Sequence, residues 1–274
     1  MLDTNWENIS QDFGDHLQRC MEIDHGLGQI IEAISDNNDL VIFGGMIRDY
    51  ILNGQGFYDH RDIDIVVSNI DDNVAGILES HAARINSFGG YKFGTVKYEI
   101  DLWITKETWA LKNGHKILLD ICLENHLPNT VFFNITAAIY HYNLKRLFYR
   151  REFKTALSGD SKTINIINDE NPLPELCVVK SLEYYRQGFK LGENLKNYLA
   201  ETIPSLSRSI LQSIQMKHYG ELKYEWDEFE NFFDVIKKKI EYKEAKKAHP
   251  YEHPSEKHIQ PSQSDGSLIL FPPD

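Results

Sequence analysis

Cysteine is scarce in this sequence. There are three in 274 residues, Cys20, Cys122 and Cys177, scattered and odd in number. That pattern argues against a disulfide framework and against a zinc site, and it fits a reducing cytoplasm. Long apolar runs are missing as well: nothing approaches the roughly 20 consecutive apolar residues that a membrane helix needs, so no membrane partner is expected. The opening residues, MLDTNWENISQDF, are polar and acidic and do not read as a secretory leader. Excess positive charge is absent too. With a net charge of −12 the surface is no general binder of polyanions, so any nucleic acid must meet a local basic patch. What remains is 42% apolar residues in a chain long enough for one large domain or two smaller ones.

The informative stretch is LVIFGGMIRDYILNGQGFYDHRDIDIVV, residues 40–67. Leu40-Val41-Ile42-Phe43 is a short bounded apolar run of the kind that makes a buried strand. It ends in Gly44-Gly45, after which Met46, Ile47, Tyr50, Ile51 and Leu52 fall near helical spacing until Asn53-Gly54. A second strand follows, in which Asp62 and Asp64 project from one face while Ile63 and Ile65 project from the other. Two adjacent carboxylates repel, and a hard divalent cation such as Mg2+, which takes oxygen ligands and shares them with phosphates, removes that cost. A glycine pair at a strand-to-helix turn lets backbone approach a ligand, and the helix N-terminus offers N–H groups to an anion. One half of the stretch therefore suits a triphosphate and the other a metal.

The run Gly44-Gly45-Met46-Ile47-Arg48-Asp49 followed by Asp62-Ile63-Asp64 resembles the head domain of the class II tRNA nucleotidyltransferase (CCA-adding) and bacterial poly(A) polymerase family, which carries a GGxVRD turn and then a DxD strand. Neither motif is specific alone; both together, in this order and texture, are. The family also has an FGTV-like segment leading to a strand with a third acidic residue, matched here by Phe93-Gly94-Thr95-Val96 and Asp101, with Glu99 on the same face as a substitute. The resemblance implies an α+β fold: a polymerase-β-like nucleotidyltransferase head with a mixed sheet, then a helical neck. It implies Mg2+ held by Asp62, Asp64 and Asp101 as the catalytic set. Gly44, Gly45, Arg48 and Asp49 would hold and buttress the nucleotide, with Lys180 as a further cationic contact. The expected organisation is a head over residues 1–155, a neck-like helical domain over 156–248 and a disordered tail over 249–274.

Elsewhere the match thins. The segment VFFNITAAIYHYNLKRLFY (131–149) resembles the family's RRDFTINALAY, but Phe132 stands for its Asp, Asn134 for its Thr and Thr136 for its Asn, and both arginines are absent at Thr130 and Val131. Ribose and phosphate contacts must then be supplied differently. The helix opening near Glu170 resembles the neck helix that begins EDxxR and reads the base, yet Asn171 stands for the Asp and Pro174 for the Arg, so the base-reading fork is gone while Lys180 and Arg186 remain. Leu199–His218 resembles the next family helix, with only Arg208 of its ER pair. Residues 1–39 are expected to be helical, with Ile23, Leu27, Ile30, Ile31 and Ile34 as the packed face and His16 and His25 exposed to solvent. Further helices are expected over Asn73–Ile85, capped from the Asn69–Asp72 segment, and over Lys106–Asn113, and a strand over Ile117–Cys122. The lysines between Lys237 and Lys247 read as a solvated helix face or an RNA contact, and His249, His253 and His258 as part of the tail.

The expected activity is Mg2+-dependent transfer of a nucleoside monophosphate from an NTP, ATP or CTP, to an acceptor hydroxyl. An RNA 3′ end, tRNA foremost, leads as acceptor, without CCA synthesis proper. Two other readings stay open: transfer to a protein or small molecule, as in a toxin or defence factor, and a degenerate nucleotide-binding module.

Overall fold

A computed structural model describes residues 5–60, 62–86, 89–108, 126–158, 162–170 and 172–248, the last ten as backbone. The expected strand at Ile117–Cys122, most of the helix at Lys106–Asn113, Asn171 and the tail from residue 249 lie outside the described residues. Met1–Ile236 form one compact unit and Lys237–Asp274 another.

The first unit is built on a seven-stranded mixed sheet. Its strands are β1 (Leu40–Phe43), β2 (Asp62–Val67), β3 (Arg84–Ile85), β4 (Tyr91–Gly94), β5 (Glu99–Ile104), β6 (Ala138–His141) and β7 (Arg146–Tyr149), in the spatial order β3-β4-β5-β2-β1-β6-β7. Only the pairing of β2 with β5 is parallel within this sheet; the others run antiparallel. Parallel neighbours need a crossover, and α4 (Asp72–Ser80) supplies it, N-capped by Asp71 Oδ1 accepting from the Val74 amide (2.9 Å). That helix is shorter than expected: after Ser80 the chain turns through Ala82, whose φ of 48° closes the helix, and Arg84-Ile85 become the edge strand β3.

Helices α1 (Ile9–Ile23), α2 (His25–Ser35) and α3 (Gly44–Asn53) pack on the sheet. Residues 1–39 do not form one helix. Asp24 ends α1 in an extended conformation and caps α2, its Oδ1 accepting from Leu27 N (3.1 Å). Ile23, expected on the packed face, is therefore stranded at a helix end and exposed. The buried face of α1 is Ile9, Phe13, His16, Leu17, Cys20 and Met21, a 3.6-residue stripe. His16 corrects the expectation that it faces solvent: it is 2% exposed, stacked on Tyr58 and 4.7 Å from the Tyr50 ring. His25 is exposed as expected. Burial, and then His60, pushes the His16 imidazole down to about 4; burial, and then Arg48, does the same to His60. Phe13 ties α1 to the sheet through Tyr140 (5.1 Å) and to α3 through Tyr50 (5.8 Å).

Beyond the sheet come α5 (Arg151–Leu157), β8 (Thr163–Ile164), α6 (Pro174–Arg186), β9 (Lys190–Leu191), α7 (Glu193–Thr202), α8 (Arg208–Tyr219) and α9 (Trp226–Ala248). Pro174 occupies the first turn of α6, where a missing N–H costs nothing. The helix expected over Leu199–His218 is two: Ile203-Pro204-Ser205 interrupts it, and Ser207 caps α8.

One contact fixes how α3 enters the sheet. A Cβ on Gly44 would collide with the Thr136 backbone, meeting its carbonyl oxygen and lying 2.7 Å from its carbonyl carbon. A Cβ on Gly45 meets only Asp64 Oδ2, at 3.9 Å. Gly44→Ala is therefore expected to lower stability by about 1–3 kcal/mol, as overpacking does, and Gly45→Ala to leave it unchanged or slightly raised. Urea unfolding of the two variants measures the difference.

Candidate active site

Alternation along β2 puts Asp62, Asp64 and Val66 on one sheet face, and along β5 it puts Glu99, Asp101 and Trp103 there. The parallel register then sets Asp62 opposite Glu99, Asp64 opposite Asp101 and Val66 opposite Trp103. The far end of this face is apolar, with Val41, Val66, Leu127 and Ile139 clustered and Phe43, Trp103 and Phe148 packed against them. The near end is acidic. The opposite face of the same strands, Ile63, Ile65, Ile100 and Leu102, is fully buried. The core thus fixes which way the carboxylates point.

The structure brings Asp62, Asp64 and Asp101 together. Burial, then the charges of Asp101 and Asp62, pushes the Asp64 carboxyl up to about 7, with partial relief from Lys180 and Lys92. Lys92 is a site residue the sequence reading missed. Its Nζ lies 2.9 Å from Glu99 Oε2, 3.3 Å from Asp101 Oδ2 and 3.9 Å from Asp62 Oδ1. Asn86 is another, its Nδ2 donating to Asp101 Oδ1 (2.8 Å). The signal for Lys92 was present: the Gly94–Glu99 hairpin is antiparallel, and counting back two residues sets Lys92 opposite Asp101. Asn86 carries no such signal, because a turn closed by the Asn86 N–H to Gly90 O bond (2.8 Å) delivers it.

Gly44 and Gly45 open α3, whose N-cap Phe43 provides no side-chain acceptor, and Gly45 sits beside the Asp64 carboxylate. Arg48 and Asp49 pair with each other rather than reach toward the acids: Arg48 Nε donates to Asp49 Oδ1 (2.7 Å) and Nη1 to the Tyr184 hydroxyl (2.8 Å), with the guanidinium 5.2 Å over the Tyr184 ring. Burial opposes the charge on Arg48, but Tyr184 and Asp49 outweigh it and raise its pKa. Arg48 so clamps the first helix of the site to α6. Lys180, one turn earlier on α6, pairs with Glu183 Oε2 (3.2 Å) and lies near enough to Asp64 to favour its ionised form. Arg186 is engaged elsewhere, with Glu228.

The donor set fits a hard divalent cation: carboxylate oxygens crowd on two adjacent strands, and burial together with its acidic neighbours raises the Asp64 carboxyl to about 7 despite Lys180 and Lys92. The positions that depart from the resemblance have structural work. Asn134 donates to Thr163 O (3.0 Å) and accepts from Asn165 N (2.8 Å), joining the sheet to β8, and Thr136 lends Gly44 its backbone contact.

A mixed sheet with carboxylates on adjacent parallel strands, beside a helix opened by glycines and followed by further helices, is the nucleotidyltransferase head fold with a helical extension. No family model matches the sequence, and no curated protein does either. Solved structures do share its fold. A CCA-adding enzyme in complex with CTP superposes with a TM-score of 0.53 at 15% identity, covering 77% of this chain and 51% of that one. The Thermotoga maritima CCA-adding enzyme complexed with tRNA gives 0.51 at 15%, covering 77% and 50%. A tRNA-processing enzyme in an apo form gives 0.51 at 18%, covering 80% and 57%. The chain thus spans between half and three-fifths of the length of these neighbours. Among the described residues no helix is long and apolar enough to cross a membrane.

A carboxyl whose folded pKa is raised contributes stability that is complete below its unfolded value and is lost as pH rises through the folded one. Metal-free protein should therefore match Asp64→Asn in stability near pH 4, fall behind it steadily as pH rises from there, and level off a few kcal/mol lower above about pH 7. Denaturant midpoints of the two proteins across that range test this, and parallel curves would refute it.

Proposed function

We propose that this chain is a divalent-metal-dependent nucleotidyltransferase that moves a nucleoside monophosphate from an NTP to an acceptor hydroxyl. The reading rests on one observation: Asp62, Asp64 and Asp101 converge on one face, beside the glycine-led N-terminus of α3. In it, residues 1–155 act as the head and 156–248 as the neck. Mg2+, when bound, supplies the positive charge that eases ionisation of the attacking hydroxyl and stabilises the leaving pyrophosphate. Asp62, Asp64 and Asp101 would hold the ion. The α3 N-terminus, which has no side-chain cap and carries the positive dipole end, receives phosphate oxygens, and Gly45 leaves room for them beside Asp64. Arg48, fixed by Asp49 and Tyr184, keeps α3 and α6 in register, and Lys180 adds positive charge from α6. The chemistry is positioning and electrostatics throughout.

Similarity to structures solved with tRNA and with CTP supports an RNA 3′ end as acceptor and CTP as donor, with ATP as the other donor that the sequence resemblance implies. CCA synthesis proper is disfavoured, because Pro174 at the start of α6 has no side-chain donor with which to read a base. The net charge of −12 favours a second reading, a protein or small-molecule acceptor for the same transfer.

Incubation with each labelled NTP, Mg2+ and total cell extract distinguishes them: label in RNA supports the first reading, label in protein or metabolite the second, and bound but unturned NTP defeats both. Asp62→Ala and Asp64→Ala should each lower incorporation on the order of 100-fold or more. A further expectation concerns Lys92. Because its ammonium already sits on Asp62, Glu99 and Asp101, Lys92→Met should lower the Mn2+ concentration that half-saturates the protein, by roughly tenfold for about 1.4 kcal/mol of relieved competition. Isothermal titration reads it, and unchanged or weaker binding would show that Lys92 does not compete.

A further inference from the structure

A second cluster of ligating atoms lies away from the carboxylates, where α1 meets the loop leading into β2. His16 and Cys20 are four residues apart on α1 and share its buried stripe. His60, on the loop, reaches the same point. His16 Nε2 and His60 Nε2 are 2.8 Å apart, Cys20 Sγ is 3.7 Å from His16 Nε2, and all three atoms lie within 4.8 Å of one another. The residues are nearly sealed from solvent, at 2%, 0% and 4% exposure for His16, Cys20 and His60. Aromatic rings enclose them: Tyr58 stacks on His16, Phe57 packs edge-on to His60, and Tyr50 leans on His16.

The geometry points to a Zn2+ site formed by His16, Cys20 and His60, which the scatter of the cysteines argued against because two of its three donors are histidines. Zinc with Zn–N of about 2.0–2.1 Å and Zn–S of about 2.3 Å in tetrahedral geometry holds its donor atoms about 3.3–3.6 Å apart. The Cys20–His16 spacing is already there, Cys20 and His60 lie within 4.8 Å of each other, and the two imidazoles need to part by about 0.5 Å to admit the ion. Two imidazoles and a thiolate select a borderline-soft transition ion and are a poor set for Mg2+ or Ca2+, so the site and the carboxylate site sort different metals. Binding releases the thiol proton of Cys20 to solvent, and three protein donors leave a fourth position for water. The ion would pin α1 to residue 60, two positions before Asp62, and so hold the start of β2 against the N-terminal helix.

The test uses the full chain and does not involve activity. After passage over a chelating resin, the wild-type protein should retain about one zinc per chain by elemental analysis. Co2+ substitution should produce the visible bands of a tetrahedral ion together with thiolate-to-cobalt charge transfer. Both signals should bleach on adding one equivalent of Zn2+ and survive excess Mg2+, and the charge transfer should vanish in Cys20→Ser while persisting in Cys177→Ser. Charge transfer that is absent from the wild type, or that survives Cys20→Ser, overturns the proposal. Should Cys20→Ser fail to fold, X-ray absorption at the zinc edge of the wild type decides: one sulfur and two nitrogen neighbours uphold the site, and a shell of oxygens alone refutes it.

Discussion

Repulsion between carboxylates on two neighbouring strands is the constraint around which the head is arranged. Like charges directly opposite each other in a sheet destabilise it, by something under about 1 kcal/mol per exposed pair and more when half-buried. Here Asp64 faces Asp101 and Asp62 faces Glu99. The pairing survives because the register cannot slip. Moving β2 by one residue would carry Ile63 and Ile65 out of the core and Asp62 and Asp64 into it. Hydrophobic burial on one face thus forces electrostatic crowding on the other. The crowding is then partly offset by Lys92, Asn86 and Lys180, and by a proton on Asp64 near neutral pH.

A second constraint works at right angles to the first. The glycine-led start of α3 must sit close to Asp64, and two contacts place it there. Gly44 packs without a side chain against the Thr136 backbone, and Arg48 is held by Asp49 and by Tyr184 of α6. Tyr184 also packs edge-on to Phe133, just before the short turn that carries Thr136. The sheet, α3 and α6 therefore meet around one aromatic ring and one guanidinium. A buried Arg–Tyr–Asp network of this kind rigidifies what it joins, which is what the proposed transfer, acting by positioning, would require.

The sequence was most legible where pattern and chemistry coincide. Alternation exposed the Asp62–Asp64 face and the Ile100–Leu102 core, and the Gly44-Gly45 break exposed the strand-to-helix turn. It was less legible where tertiary contact decides. Residues 1–39 carry helices, as their apolar periodicity implies, but that periodicity does not mark the break: Asp24 serves as stop and cap at once, and its side chain accepts from Thr95 Oγ1 and Lys97 N as well, so a partner 71 residues away chooses it. His16 was misplaced for the same reason: an imidazole on a helix looks like a surface residue until Tyr58 and His60 arrive from the loop. Lys92 was recoverable from hairpin arithmetic, whereas Asn86 and Tyr184 were not, since no periodicity marks a side chain delivered by a turn or by a helix a hundred residues on.

Lys92 bears most directly on how such a site is regulated by its own charge. An ammonium 3.3 Å from Asp101 and 2.9 Å from Glu99 is a monovalent cation built into the place that a divalent one would share. It lowers the repulsion among the acids without removing it, and burial together with what remains of that repulsion keeps the Asp64 pKa raised. The lysine therefore does two opposed things. It lets the head fold around clustered acids without waiting for metal, and it weakens the field that would draw metal in. Glu99, half-exposed at the strand's start, gives the ammonium somewhere to go when Asp101 is taken by another cation. That exchange asks for a side-chain rotation rather than a backbone change, which suits a sheet whose register its core has already fixed.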